Sequence, residues 1–217
     1  MLQTNIKAGP ITNLTDARYF AAREVTWLGF ECSEGMSNYL PPAQILAIRD
    51  WVSGVQIVGS FGLEHPEYIC RTVEFLRLDA VQLSMVTPPE TLSALPTELP
   101  VIQEIVIEIS TSPTILQQQL AQCSERVQWF LLDFTKNNIT WKRLKNSILH
   151  QEHLRDICQS YPILMQIDLD VAYIKDMLKM LPKAGWCVKG GVEEKTGYKS
   201  FEEMDEILEI LEAPEQF

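Results

Sequence analysis

The feature that most constrains the fold is an alternation of eight short apolar runs with longer amphipathic segments along 217 residues. The runs are rich in β-branched and aromatic residues, a composition that is typical of buried strands. The predicted strands cover residues 5–8, 27–30, 55–58, 80–83, 101–107, 129–133, 163–167 and 186–189. Since neighbouring parallel strands need a crossover connection, the alternation predicts a parallel sheet that is covered by helices.

The segments between the runs predict helices. These cover residues 42–52, 88–95, 115–123, roughly 141–159 and 201–211, with a further helix that carries Ile69, Val73 and Leu76. A first helix begins near Asn13, a residue type that caps helices, and Asp16 lies favourably near its positive end. Strand and helix units repeated through a chain of this length favour a closed (β/α)8 TIM barrel over an open doubly wound sheet, and we expect residues 1–217 to form one domain.

Charge and hydropathy exclude several classes of partner. The formal charge of −11 argues against nucleic acid or an anionic membrane, because both bind basic surfaces. No apolar run approaches the roughly 20 residues of a membrane helix, and the first residues lack the basic and apolar regions of a signal peptide. The five cysteines are scattered and form no C-x-x-C pair, which is typical of a reduced compartment. We therefore expect a cytoplasmic protein, with an oligomeric state that the sequence leaves open.

Motifs for common cofactors are absent from the sequence. No G-x-G-x-x-G turn, P-loop, H-E-x-x-H or G-x-S-x-G follows any predicted strand, so we expect no cofactor. Carboxylates do gather near the predicted strand ends, at Glu31, Glu104, Asp133, Asp168 and Asp170. They would suit a cationic ligand or Mg²⁺, but acidic loop residues are usually solvated, and we expect no metal site.

Several segments spread over the chain match those of one enzyme family. They are residues 11–18 (Ile-Thr-Asn-Leu-Thr-Asp-Ala-Arg), 28–30 (Leu-Gly-Phe), 78–83 (Leu-Asp-Ala-Val-Gln-Leu), 131–133 (Leu-Leu-Asp) and 191–193 (Gly-Val-Glu). In these segments the chain resembles the phosphoribosylanthranilate isomerase family, the barrel enzymes of the tryptophan pathway. The resemblance implies the (β/α)8 fold and an Amadori isomerisation. In that reaction an acid protonates the ring oxygen of a furanose while a base removes a neighbouring carbon-bound proton.

The positions that carry the family's chemistry match less well. Asp133 stands at the position of the family's acid, but Gly9 and Pro10 replace the Cys-Gly pair that supplies the base. Asn38 replaces the arginine that engages the substrate's carboxylate, and Ser84 replaces a histidine. Glycines that let backbone N–H groups approach a phosphate are replaced at residues 135–138 and 166–168. We therefore predict that the standard isomerase activity has been lost.

The remaining matches predict a ligand site at the C-terminal ends of the strands, where barrel enzymes hold their active sites. Asp133 is the candidate catalytic residue, and the alternatives for it are a cap of the next helix or an ion-pair partner of Lys7 or Lys189. The candidate substrate- or phosphate-binding residues are Lys7, Lys189, Gly190 and Gly191. The two lysines are the positive charges near the strand ends, and the two glycines match the family's last glycine turn, which helps to hold phosphate. The predicted partner is a small-molecule ligand, with or without a phosphate group.

Three functions remain open at this point. The leading one is a divergent family member that has lost the Amadori reaction and binds or acts on another small ligand. The second is an active isomerase with a shifted base, and the third is a non-catalytic partner protein that acts through its acidic surface. Cys32, which follows the second predicted strand, is a candidate replacement thiol, although lone cysteines are usually inert and buried.

Overall fold

The computed structural model describes residues 2, 4–144, 147–190, 192–195 and 198–212. Within these ranges, eight parallel strands form a closed barrel in chain order, and β8 pairs with β1. The predicted (β/α)8 barrel is thus confirmed. The strands are β1 Ile6–Ala8, β2 Trp27–Glu31, β3 Gln56–Phe61, β4 Ala80–Leu83, β5 Val101–Val106, β6 Trp129–Asp133, β7 Ile163–Gln166 and β8 Gly185–Val188.

Helices connect the strands and cover the outside of the barrel. Asn13 caps the first of them by accepting a hydrogen bond from the Asp16 backbone N–H, and four others begin with a proline, which needs no N–H partner at that position. None of the helices in the described ranges is both long and apolar enough to cross a membrane. The helices are α1 Leu14–Ala22, α2 Pro42–Arg49, α3 Pro66–Leu76, α4 Pro89–Ala94, α5 Pro113–Cys123, α6 Trp141–Leu144, α7 Gln151–Ser160, α8 Val171–Met180 and α9 Glu202–Glu212.

Three regions differ from the sequence expectation. The helix predicted over 141–159 is divided into α6 and α7, and the Ser147 hydroxyl lies 2.9 Å from the carbonyl oxygens of both Leu144 and Leu149. Such local side-chain bonds compete with helical ones, which explains the break. The helix α8 and an antiparallel hairpin of β9 Val192–Lys195 and β10 Tyr198–Ser200 are not among the predicted elements. The hairpin is rich in polar residues, so no apolar alternation marks it.

An apolar layer of the barrel interior is filled by one side chain from each of β2 to β8. These form a cluster of buried residues, which are Trp27, Val58, Ala80, Ile102, Leu131, Leu164 and Cys187. The position of β1 in register with Trp27 and Cys187 is occupied by Lys7. Residues that are paired in register point to the same face of a sheet, so a lysine enters an otherwise apolar interior.

Candidate functional site

The strand register brings four polar side chains into the C-terminal mouth of the barrel. Lys7 enters from β1, and Glu104 of β5 is in register with the interior residue Leu131 of β6. Asp133 lies two residues beyond Leu131 and is in register with Gln166 of β7. Since side chains alternate along a strand, all four face the inside of the barrel.

Asp133 is fully buried, and its carboxylate holds the start of the next turn. Its Oδ1 accepts hydrogen bonds from the backbone N–H groups of Thr135 at 2.8 Å and Lys136 at 3.2 Å, and from the Thr135 hydroxyl at 2.8 Å. Its Oδ2 accepts one from Gln166 Nε2 at 2.7 Å. The Asp133 carboxylate therefore holds the first N–H groups of a short 3₁₀ helix over Thr135–Asn137, although the N-cap residue of that helix is Phe134.

Lys136 and Glu104 form an ion pair beside this carboxylate. The Lys136 Nζ lies 2.5 Å from Glu104 Oε1 and 3.9 Å from Asp133 Oδ2. Burial raises the pKa of Glu104, the negative charge of Asp133 adds to this, and the ammonium of Lys136 opposes it. Sequence reasoning missed Lys136. Its position three residues after Asp133, on the same loop, was the available signal.

Lys7 is a buried cation at the centre of the site. Its residue is 5% exposed, and its Nζ occupies the space over Gly29, where an added Cβ would lie only 2.7 Å from it. Among the residues that the structure describes, none forms an ion pair with Lys7. A buried ammonium gains most from an anion placed beside it, so Lys7 is suited to meet an anionic group of a ligand.

The cysteines near the strand ends are not activated thiols. Burial raises the pKa of Cys187, inside the barrel, to about 12, although the positive charge of Lys7 opposes this shift. Burial likewise raises the pKa of Cys32 to about 12. Cys32 belongs to the hydrophobic core between strands and helices, because the inward position at the end of β2 is held by Glu31. The thiol considered as a replacement base therefore lies outside the mouth.

A cavity of about 170 Å³ opens at the ends of β7, β8 and β1 and is covered by α9. Its lining includes Gly9, Gln166, Asp168, Lys189 and Glu203. The Lys189 Nζ lies 3.1 Å from Asp168 Oδ1, and both side chains are more than half exposed. Among the described residues of this lining, two carboxylates and one ammonium give a net negative charge, which disfavours a doubly charged phosphate.

The two glycines at this end of the barrel allow close approaches within the protein. A Cβ added to Gly9 would lie 2.8 Å from the backbone oxygen of Gly29, and one added to Gly190 would lie 2.6 Å from Asp16 Oδ2. The carboxylate of Asp16 is itself buried. The space beside Gly190 is thus filled by an anionic side chain, which weakens the case for a phosphate there. Gly191, the other predicted phosphate-binding glycine, lies outside the described residues.

The remaining strand-end carboxylates have local roles. Glu31 Oε1 accepts a hydrogen bond from the Ser33 backbone N–H at 2.9 Å, and burial together with the charges of Glu64 and Glu104 raises the pKa of Glu31. Asp170 caps α8 by accepting from the Ala172 backbone N–H. Across the described part of the chain, no three His, Cys, Asp or Glu side chains come together closely enough to hold a metal ion.

A comparison with models of protein families matches residues 6–210 to N-(5'phosphoribosyl)anthranilate (PRA) isomerase. This match spans the whole barrel, from β1 into α9. No curated protein sequence matches the chain.

Several solved structures share the fold over nearly the full chain. The phosphoribosyl anthranilate isomerase of Thermus thermophilus is 25% identical, with a TM-score of 0.73 and coverage of 95% of this chain and 98% of that one. Another isomerase, solved in complex with reduced 1-(o-carboxyphenylamino)-1-deoxyribulose 5-phosphate, is 20% identical, with a TM-score of 0.74 and coverage of 95% and 97%. A thiamine phosphate pyrophosphorylase from Pyrococcus furiosus is more distant, at 14% identity, a TM-score of 0.59 and coverage of 98% of both chains.

Proposed function

The chain belongs to the N-(5'-phosphoribosyl)anthranilate isomerase family, and from this premise we propose that it is a divergent, single-domain member which has lost the standard Amadori isomerisation. In this proposal it binds or acts on another small ligand at the C-terminal end of the barrel. The observation that carries the proposal is Gly9, which stands where the family's base is expected and has no group that can take a proton.

The packing around Gly9 supports the proposal that a single substitution at this position does not restore the missing base. A side chain at this position would meet the backbone of Gly29 at 2.8 Å, so the space for a base has closed. The neighbouring thiol of Cys187 does not replace the base, because burial raises its pKa to about 12 and leaves almost no thiolate at neutral pH.

The charges of the mouth favour a ligand with fewer negative groups than the one bound by the relative. That compound carries both a carboxylate and a phosphate. In this chain Asn38 replaces the arginine for the carboxylate, and Asp16 fills the space beside Gly190. Lys136 is already paired with Glu104, so among the described residues the buried ammonium of Lys7 is left to meet one anionic group.

The sequence-predicted site residues remain our proposal, with unequal support. Asp133 is the proposed catalytic residue, and Lys7, Lys189, Gly190 and Gly191 are the proposed binding residues. Support is strongest for Lys7, whose buried ammonium has no ion-pair partner among the described residues. It is weakest for Gly190, because the carboxylate of Asp16 lies against it.

A second candidate function is an active isomerase with a shifted base. Glu104 is the observation that favours it, because this carboxyl faces the mouth beside Asp133 and has a raised pKa. A carboxyl group whose pKa moves towards neutrality is better suited to proton transfer. Asp133 would then be the acid and Glu104 the base of a rearranged site.

Complementation and titration calorimetry separate the two candidates. We expect the gene to give no rescue of a tryptophan auxotroph that lacks the isomerase. We also expect the purified protein to bind reduced 1-(o-carboxyphenylamino)-1-deoxyribulose 5-phosphate no more tightly than about 1 mM, which corresponds to about −4 kcal/mol. Rescue that disappears in Glu104→Gln but persists in the control Glu98→Gln, which changes an exposed carboxylate ahead of β5 and away from the mouth, would contradict the proposal and support the shifted base.

A further inference from the structure

Four consecutive loops on one side of the barrel mouth carry an unusual number of exposed apolar side chains. These loops follow β2, β3, β4 and β5, cover residues 32–41, 62–65, 84–88 and 107–112, and are called the acidic rim below. Their exposed apolar residues, with exposed fractions, are Leu63 70%, Val86 59%, Met36 56%, Met85 48% and Ile109 44%. Large apolar residues that cluster on neighbouring surface loops mark interaction sites.

Hydrogen bonds join these loops to one another. The Ser33 hydroxyl accepts a bond from the Gly62 backbone N–H at 2.8 Å, and the Thr87 hydroxyl donates to the Gly62 carbonyl oxygen at 2.9 Å. The loop after β4 is tied to the neighbouring strand β5 by Gln103, whose Nε2 donates to the Ser84 carbonyl oxygen at 3.0 Å. The rim is therefore held in shape before any partner arrives, which lowers the entropic cost of binding.

The charge of the rim has one sign. Its sequence contains Glu34, Glu64 and Glu108, and none of the four loops contains a lysine or an arginine. The carboxylate of Glu31 adds to this charge, because it accepts a hydrogen bond from the Ser33 backbone N–H in the first loop. The full chain carries a net charge of −11, which adds to the local field. Negative potential around apolar side chains favours a partner with basic residues and speeds its association.

The same charge argues against other occupants. A second copy of the chain that docked through the same surface would bring Glu34, Glu64 and Glu108 of the two copies together, and like charges at an interface are costly. An anionic membrane is repelled for the same reason. The apolar residues in turn distinguish the rim from an ordinary solvated acidic surface.

We propose that the acidic rim is the docking surface for a partner protein that presents an amphipathic segment of apolar and basic side chains. The apolar side chains of the segment pack on Met36, Leu63, Met85 and Val86, and its basic residues face the surrounding carboxylates. A partner seated there lies beside the barrel mouth and covers its β2 to β5 side. This inference does not depend on which small ligand the barrel binds.

A synthetic peptide tests the proposal on the full chain. The probe is a fluorescein-labelled 14-residue amphipathic peptide of leucine and lysine, and the control probe is a serine and lysine peptide of equal charge. Anisotropy titrations are expected to show at least tenfold tighter binding of the leucine peptide. Double substitution Leu63→Ser and Val86→Ser is expected to weaken that binding by about tenfold, or roughly 1.4 kcal/mol.

Two exposed apolar residues outside the rim supply the matched control. Trp51 and Phe75 are 69% and 56% exposed, so Trp51→Ser with Phe75→Ser removes similar apolar area elsewhere and is expected to leave binding unchanged. Thermal unfolding of both double variants verifies that they are folded. Equal binding of the two peptides, or equal losses in the two double variants, would overturn the proposal. Light scattering supplies a further test. A dimer of the wild type that becomes a monomer in the Leu63→Ser, Val86→Ser variant would also overturn the proposal, because a second copy of the chain would then cover the rim.

Discussion

The two sides of the barrel mouth differ in how they carry charge. On the acidic rim, the loops after β2 to β5 expose apolar side chains and acidic residues and contain no lysine or arginine. On the opposite side, from β6 to β8 and β1, charges are buried or paired, as in Lys7, Asp133 and Lys136, whose partner Glu104 points inward from β5. The difference suggests two separate uses of one scaffold, with a protein surface on one side and a small-ligand site on the other.

The largest expected difference in stability between the two sides comes from removing the buried carboxylate of Asp133. Asp133→Ala leaves Lys136 and Gln166 without their acceptor in the barrel interior, and we expect it to lower the free energy of unfolding by about 3–5 kcal/mol. Urea denaturation measures the loss. The control is Glu108→Ala on the acidic rim, where the side chain is exposed and a change within about 0.5 kcal/mol is expected. Similar losses in the two variants would remove the distinction between the sides.

The second comparison uses one glycine from each side. Gly9→Ala places a Cβ 2.8 Å from the backbone oxygen of Gly29, and we expect a loss of about 1–3 kcal/mol in the free energy of unfolding. The control is Gly62→Ala on the acidic rim, where the nearest atoms would be 3.6 Å away in ordinary contact, and little change is expected. A stable Gly9→Ala protein would show that the space for a side chain had not closed, and would weaken the proposed loss of the base.

The third prediction compares the stability contributed by two ion pairs on the ligand side, Lys136–Glu104 and Lys189–Asp168. Lys136→Ala leaves the carboxylate of Glu104, only 7% exposed, without its ammonium, and we expect a loss of about 1–3 kcal/mol. Lys189→Ala removes a pair whose side chains are 58% and 66% exposed, so a loss of less than about 0.5 kcal/mol is expected. Both losses are measured by urea denaturation in low salt. A larger loss of stability in Lys189→Ala than in Lys136→Ala would show that burial does not determine how much these ion pairs stabilise the fold.

The smallest expected effect is a pH dependence that Glu104 contributes. Burial raises the pKa of Glu104 in the folded protein, so the folded state retains this proton to higher pH than the unfolded chain. Wild-type stability relative to Glu104→Gln should therefore be greatest below the unfolded pKa of about 4.3 and fall as the pH rises through the folded pKa. The fall amounts to about 1.4 kcal/mol for each unit of the shift. Denaturation from pH 4 to 8 tests this, and a difference that grows with pH would contradict it.

Local patterns were enough to predict most of the barrel. β6 was predicted at residues 129–133 as it occurs, because its apolar run is continuous, and α1 was predicted from the capping residue Asn13. The break between α6 and α7 was missed, because it depends on where the Ser147 hydroxyl finds carbonyl partners. The fold thus follows from patterns that a short stretch of sequence contains.

The site was less predictable, because its contacts join distant parts of the chain. Sequence placed Asp133 at the mouth, but the pairing of Lys136 with Glu104, 32 positions apart, depends on the register of β5 and β6. The approach of Asp16 to Gly190 likewise requires that β8 close onto β1. The local sequence shows that Lys136 lies near Asp133, but it does not show the partner of Lys136 or the approach of Asp16 to Gly190, and these contacts decide which charges face a ligand.

The central claim is that the isomerase scaffold persists here without the isomerase chemistry. Steady-state turnover of N-(5'-phosphoribosyl)anthranilate by the purified protein tests this most directly, with a protein-free reaction as background. Our account predicts a rate that is indistinguishable from the background, in the wild type and in Asp133→Asn alike. Turnover above background in the wild type that is abolished in Asp133→Asn would contradict it.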